Sequence, residues 1–313
     1  MPTTPRWKLA LALFAIYVIW GSTYLAIRVA IDTIPPLAMA GARFLLAGAV
    51  LYALALRRGA GRAPAFEWRN AALVGGLMLL GGNGGVCWAE QRVPTGLAAL
   101  LIASVPLWAV LLDWVRPGGL RPKAAVVAGV LTGFVGVALL VRPHGASSVD
   151  LLGAAVLTGA AASWAAGSVV SRNVRLPVDP LLATAMEMLT GGALLLAGSA
   201  LTGEIPRIRP GAFSAASLAA VGYLVVFGSL VGFTAFVWLL RVTTPAVATT
   251  YAYVNPVVAV ALGWAFLGEK LSPQSAVAGV IVISAVAMIA SAPSRAPAPP
   301  SGTVTSSGPS SGS

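Results

Sequence analysis

Charge is scarce in this chain. Only 9% of its 313 residues are charged, 58% are hydrophobic, and the mean hydropathy is +0.88. A soluble domain carries about 25% charge, so this chain cannot cover a water-facing surface and reads as a polytopic membrane protein. Other residues are nearly missing. A single cysteine, Cys87, excludes an intrachain disulfide and a Cys-based zinc site. A single histidine, His144, lies in a polar stretch and excludes bis-histidine haem, HExxH chemistry and a histidine proton relay. The three lysines, Lys8, Lys123 and Lys270, stand at segment ends, so no buried Schiff-base lysine is expected. The Pro117-Gly118-Gly119 stretch lacks the strand–helix setting and the Gly-Lys-Ser/Thr end of a phosphate loop. Transport driven by ATP on this chain alone is therefore not expected, and neither is a metal or another cofactor. The net charge of +11 raises nucleic acid as a partner. The basic residues gather in one set of loops, however, which points to membrane orientation and away from nucleic acid.

What is abundant is long apolar runs. A helix needs about 20 apolar residues to cross a bilayer. Ten segments qualify: 9–26, 37–56, 71–89, 96–115, 124–141, 151–170, 181–201, 215–240, 246–267 and 275–290. Backbone polar groups in lipid must be satisfied internally, so these are helices. The first follows Arg6 and Lys8 and could pass for a signal peptide; its length and the nine spans after it favour an uncleaved helix. Ten crossings place both termini on one side. Loops on that side hold 13 Lys and Arg residues and loops on the other hold 6. Positive loops stay inside, so both termini are expected in the cytoplasm. Residues 291–313 are rich in Ser, Pro and Gly and are expected to be disordered.

The two halves of the chain resemble each other. Trp20, Arg28, Pro36 and Leu37 recur 144 positions later as Trp164, Arg172, Pro180 and Leu181. Trp88, Pro106, Trp114 and Ala128-Gly129-Val130 recur 150 positions later as Trp238, Pro256, Trp264 and Ala278-Gly279-Val280. Six of the nine tryptophans fall into these pairs, and tryptophan matches are the least expected by chance. The expected fold is an all-α integral membrane protein of ten transmembrane helices in two five-helix repeats, 1–145 and 146–290. Five crossings per repeat invert the second copy relative to the first. Inverted repeats give two conformations of similar energy, the architecture of many secondary transporters.

At this level of detail the chain resembles a known family. The stretches are 17–28 (YVIWGSTYLAIR), 39–48 (MAGARFLLAG), 82–93 (GNGGVCWAEQRV), 222–230 (GYLVVFGSL) and 246–261 (AVATTYAYVNPVVAVA). They resemble the drug/metabolite transporter superfamily in its ten-helix EamA type, closest to the branch of YedA-like exporters. The resemblance covers about residues 8–290. It implies an exporter of small molecules, with helices one to four and six to nine around a central pathway and helices five and ten at the periphery. It does not choose among amino acids, drugs, sugars and other metabolites.

The residues themselves name candidate sites. An ionisable group deep in a membrane costs several kcal/mol and is functional by default. Only Arg43 and Glu187 lie well inside spans, and the 144 offset maps one onto the other. They either pair or meet different parts of a substrate; a zwitterionic amino acid needs both charges. Glu187, flanked by Met186 and Met188, is also the candidate proton carrier unless Arg43 neutralises it, and Glu90 is a less buried alternative. Asp113 and Arg116 are one turn apart and expected to pair at the interface. Trp20 and Tyr24 share a face, as do their repeat partners Trp164 and Ser168, and as do Tyr251 and Asn255. With Trp88 and Asn83 these are candidate substrate contacts, because buried Trp, Tyr and Asn need polar partners. The competing role for aromatics is at the membrane interface, which suits Trp7, Trp114 and Trp264 best. Gly81, Gly82, Gly84 and Gly85 around Asn83 weaken the third helix and let backbones approach. Pro106 and Pro256 are candidate hinges or static kinks.

The expected function is a secondary transporter exporting small metabolites, amino acids or related compounds first and drugs second. Its partners are a small-molecule substrate, the lipid bilayer and, as candidate coupling ion, the proton. An enzyme would need a clustered His, Asp or Ser set, and a lipid scramblase a polar stripe on a lipid-facing helix. Neither is evident. A passive channel is a third reading, which saturating flux at low turnover would exclude.

Overall fold

The computed structural model describes residues 5–116, 122–141, 150–242 and 251–291. Arg121, Arg142, His144, the Pro117-Gly118-Gly119 stretch, the part of the family-like stretch at 246–250, and the tail beyond residue 291 lie outside the described residues. Every regular element among the described residues is helical. We number the apolar helices in chain order: α1 (Arg6–Ala30), α2 (Pro36–Arg57), α3 (Ala65–Ala89), α4 (Thr95–Val115), α5 (Ala124–Val141), α6 (Leu151–Ser171) and α7 (Pro180–Leu201). α8 is continuous through Ala215–Tyr223, Leu224–Val231 and Gly232–Val242, and α9 (Tyr251–Leu267) and α10 (Pro273–Ser291) follow. Seven of them, α1 to α4 and α6 to α8, are long and apolar enough to cross a membrane. The apolar parts of the other three are shorter: Ala124–Leu140, Val254–Leu267 and Pro273–Ile289.

Local sequence explains where helices start and stop. Pro36 and Pro180 occupy first-turn positions, where the missing N–H costs nothing. Asp150, Asp179 and Ser214 cap α6, α7 and α8 through their side-chain oxygens. α2 and α4 have no cap of their own. Each is capped from a distant loop. The Glu204 carboxylate, just beyond α7, accepts from Leu37 N at 3.3 Å, Ala38 N at 3.0 Å and Ser199 Oγ at 2.9 Å. Glu269, just beyond α9, accepts from Thr95 N at 2.8 Å, Thr95 Oγ1 at 2.7 Å and Gly96 N at 3.1 Å. These bonds tie the end of α7 to the start of α2, and the end of α9 to the start of α4.

Three helices depart from regular α geometry. α3 passes through a π-helical stretch, Gly76–Gly84, and α8 through another, Leu224–Val231. α4 breaks at Ala103 and Ser104, immediately before Val105-Pro106. α9 runs unbroken through Pro256.

The principal contacts are α2 with α7, α5 with α10, the π stretch of α3 with α6, and α1 with α9. α6 also packs on both halves of α4, and α1 on α8. Glycines permit the closest approaches. A methyl on Gly75 of α3 would stand 2.5 Å from the Glu187 carbonyl oxygen of α7, and one on Gly192 of α7 would meet Leu45 N of α2 at 2.9 Å. The outward faces carry Leu11, Phe14, Leu46, Val50, Leu131, Val135, Val257 and Val280, all exposed and apolar, as a lipid-facing surface requires. Trp7, Trp114 and Trp264 are among the exposed residues too.

Candidate functional site

The π stretch of α8 organises one side of the interior. A π turn shifts the hydrogen-bond ladder and leaves carbonyls open to outside donors. Trp20 of α1 donates its indole N–H to the Gly228 carbonyl at 3.2 Å. Ser22 and Tyr223 share a hydroxyl hydrogen bond of 2.6 Å between the same two helices. Arg43 of α2 donates from Nε to Ser229 Oγ at 3.0 Å. Its guanidinium lies over the Phe44 ring, 4.6 Å from the centroid, and Nη1 is buried without a hydrogen-bond partner. The Trp20 ring meets Tyr251 edge-on at 4.9 Å, Phe233 at 5.5 Å and Phe236 at 5.2 Å. Trp20, Tyr251 and helix α8 thus form one aromatic cluster.

The π stretch of α3 has a counterpart arrangement. Trp164 of α6 lies over Gly82, as Trp20 of α1 lies over Gly232. Here the donor to the ladder is the neighbouring Ser163, whose hydroxyl reaches the Leu77 carbonyl at 2.7 Å. Ser168 bonds back to the Trp164 carbonyl at 3.0 Å. Asn83 accepts a weak bond from the Cys87 thiol at 3.5 Å. Asn255 of α9 is buried with its Oδ1 unpartnered.

Two cavities lie at opposite ends of the helices. The first, about 340 Å³, is lined by Arg28, Glu90, Arg92 and Glu269 among others. Glu90 stands just past the end of α3, with both oxygens buried and unpartnered. Burial, with Glu269 nearby, holds its carboxyl protonated well above the usual carboxylate range, and Arg28 acts against them. Tyr24 lies within electrostatic reach of Glu90 and Tyr251. Trp88 lies beneath the Arg92 guanidinium, 5.1 Å from its centroid, and Arg92 also meets Asp150 at 3.3 Å. The second cavity, about 520 Å³, is lined by Leu51 and Arg58 of α2, Leu181 and Thr184 of α7, and Phe233 and Trp238 of α8, among others. Phe233 belongs to the aromatic cluster, so this cavity reaches the interior.

The candidates therefore divide. Trp20, Tyr251 and Arg43 gather around α1 and α8, while Glu90 lines the first cavity with Tyr24 within electrostatic reach. Trp164, Ser168 and Asn83 belong to the α3–α6 contact. Arg43 and Glu187 do not pair: no carboxylate lies within ion-pair distance of Arg43 among the described residues, where Arg92 pairs with Asp150 and Arg116 with Asp113 at 2.7 Å. The symmetry that equates their positions does not bring them together, because Arg43 turns to α8. The Glu187 carboxylate has no hydrogen bond among the described residues. Pro106 adjoins a real break in its helix and Pro256 does not. Sequence reasoning missed Ser229, Glu204 and Glu269. Ser229 was signalled by the stretch 222–230, whereas the two capping glutamates carry no local signal.

The model of the EamA-like transporter family matches residues 7–142 and 151–291. The inner membrane transporter YedA of Escherichia coli K12 is 42% identical over 279 residues, covering 89% of each chain. The probable terminal-alkyne amino-acid exporter of Streptantibioticus cattleyicolor is 29% identical, covering 90% of this chain and 93% of that one. A solved crystal structure superposes with a TM-score of 0.61 at 24% identity, covering 89% of this chain and 96% of the other, and supports the fold alone.

Proposed function

The chain belongs to the EamA-like transporter family, and from that premise we propose that it is a secondary active transporter working by alternating access. It resides in the inner membrane as a multi-pass protein, as YedA does by name. Its cargo in this reading is small metabolites, amino acids or related compounds first, moved outward. The amino-acid preference draws on the exporter from Streptantibioticus and on the mixed charges of the first cavity. The layout is ten spans in two inverted repeats, 1–145 and 146–290, with both termini cytoplasmic.

One observation carries this reading. Helix contacts come in sets related by exchanging each helix for the one five places away in the other repeat: α1–α9 with α6–α4, and α3–α6 with α8–α1. The two π stretches and the two tryptophans over Gly82 and Gly232 obey the same relation. Two copies of one fold that meet in this way can exchange conformations, which opens opposite ends in turn. The aromatic cluster around Trp20 adjoins the inner end of the second cavity and would close the path between the two ends. Glu187 and Glu90 are the proposed proton-coupling groups.

The test is flux of an amino-acid panel into proteoliposomes, with and without an imposed pH gradient. Wild type is expected to respond to the gradient and Glu187→Gln to lose that response while retaining exchange. Wild-type flux indifferent to pH removes the coupling role. No gradient-driven or exchange flux for any panel member removes amino acids as cargo.

A further inference from the structure

We propose that Arg43 and Ser229 form a subsite for a carboxylate group of the transported molecule. The proposal rests on the transporter reading above and names what that transporter holds. Arg43 lies seven residues into α2, about 10 Å along its axis from the helix start. It is 3% exposed, and an arginine stays charged. A buried charge is costly unless it is paired. The Phe44 ring and one hydrogen bond to Ser229 offset only part of that cost.

The donors around it are in excess. Nη1 is buried and unpartnered. Ser229, fully buried, accepts from Arg43 Nε, so its own O–H is free to donate, and it has no acceptor among the described residues. Two donors beside a net positive charge thus have no anion opposite them among the described residues. Neither Glu187 nor Glu90 supplies one, and no other acceptor meets these donors among the described residues, so the proposal places it on the ligand. A carboxylate fits because its two oxygens match the planar guanidinium fork.

The path and the walls agree with this. The second cavity follows the seam between α2 and α8, with Leu51 on one wall and Phe233 on the other. Arg43 lies about two turns deeper than Leu51, and Ser229 about one turn deeper than Phe233. A side chain on Gly228 would stand 3.1 Å from Arg43 Nη2, and the Gly228 carbonyl takes the Trp20 indole N–H. The guanidinium and the aromatic cluster thus meet at one glycine. A carboxylate on Arg43 would set its apolar body against Trp20 and Phe233.

Binding can be read without transport. Cys87 is buried and is the only cysteine, so a thiol-reactive dye reports its exposure as the detergent-solubilised full chain melts. Butyrate and phenylacetate are compared with butyramide and phenylacetamide, and with chloride at equal ionic strength. The carboxylates are expected to raise the melting midpoint and the amides are not. Ser229→Asp, which places a carboxylate beside Arg43, is expected to raise the midpoint without ligand and to abolish the carboxylate response. Equal effects of acids and amides, a full effect from chloride alone, or an unchanged carboxylate response in Ser229→Asp would overturn the subsite. A carboxylate response in a protein that moves no amino acid would leave the subsite standing and remove amino acids as cargo. Flux without a carboxylate response would do the reverse.

Discussion

Glu90 has a pH dependence with a definite sign. Its carboxyl is buried, unpartnered and held protonated, so the folded protein binds a proton that the unfolded chain releases near pH 4.5. The stability this contributes is fully present below that value and is lost as pH rises through the folded-state value. Glu90→Gln carries a neutral side chain at every pH. Its melting midpoint should match wild type near pH 4 and exceed it increasingly toward pH 8, and a pH-independent difference would refute the assignment. Residue identity alone singled out Arg43 and Glu187, because ionisable groups are so few in the spans. Their surroundings were not legible. Arg43 meets Ser229 across a separation of 186 residues, and no local pattern encodes which neighbouring helix a side chain turns toward.

At the scale of elements, the glycines of α3 do what their composition suggests. They relax the helix into a π stretch and admit α6 and α7 at close range. Gly75 and Gly191 test this, because a methyl at either would meet backbone atoms of the other helix: the Glu187 carbonyl at 2.5 Å, or the Gly75 carbonyl at 2.9 Å. Backbone cannot step aside as a side chain can. Gly75→Ala and Gly191→Ala should each lose about 1–3 kcal/mol, read as a lower melting midpoint. Gly159 on α6 has open space around it, so Gly159→Ala should leave the midpoint unchanged or raise it. The π stretch in α8 was not legible, since it contains only one glycine. The two prolines show the same limit. Each removes one ladder bond, yet α4 breaks beside Pro106, where Ser104 Oγ donates to the Leu101 carbonyl at 2.6 Å, while α9 absorbs Pro256 within an intact helix.

At the scale of the whole molecule, the loop charges and the alternation of helices make one prediction about sidedness. Gly61, between α2 and α3, and Gly211, between α7 and α8, both have open surroundings. In spheroplasts a membrane-impermeant thiol reagent should label Gly211→Cys at once and Gly61→Cys only after permeabilisation; buried Cys87 contributes little background. Labelling of both from the same face would refute the proposed topology. The helix pairings fit the duplication read from tryptophan and proline spacing, and the long-range caps by Glu204 and Glu269 join elements that no spacing connects.

The sequence by itself determined the solvent this chain lives in, the positions of most helices, the self-similarity of its halves and the family. Each of these follows from hydropathy, local propensity or recurrence along the chain, which need no knowledge of neighbours in space. The tertiary structure alone decided that Arg43 faces Ser229 and not Glu187, that Trp20 closes on Gly228, and that two acidic loops cap distant helices. Those facts depend on how each helix is rotated against its partners. In a chain whose helices are apolar on nearly every face, only packing sets that rotation.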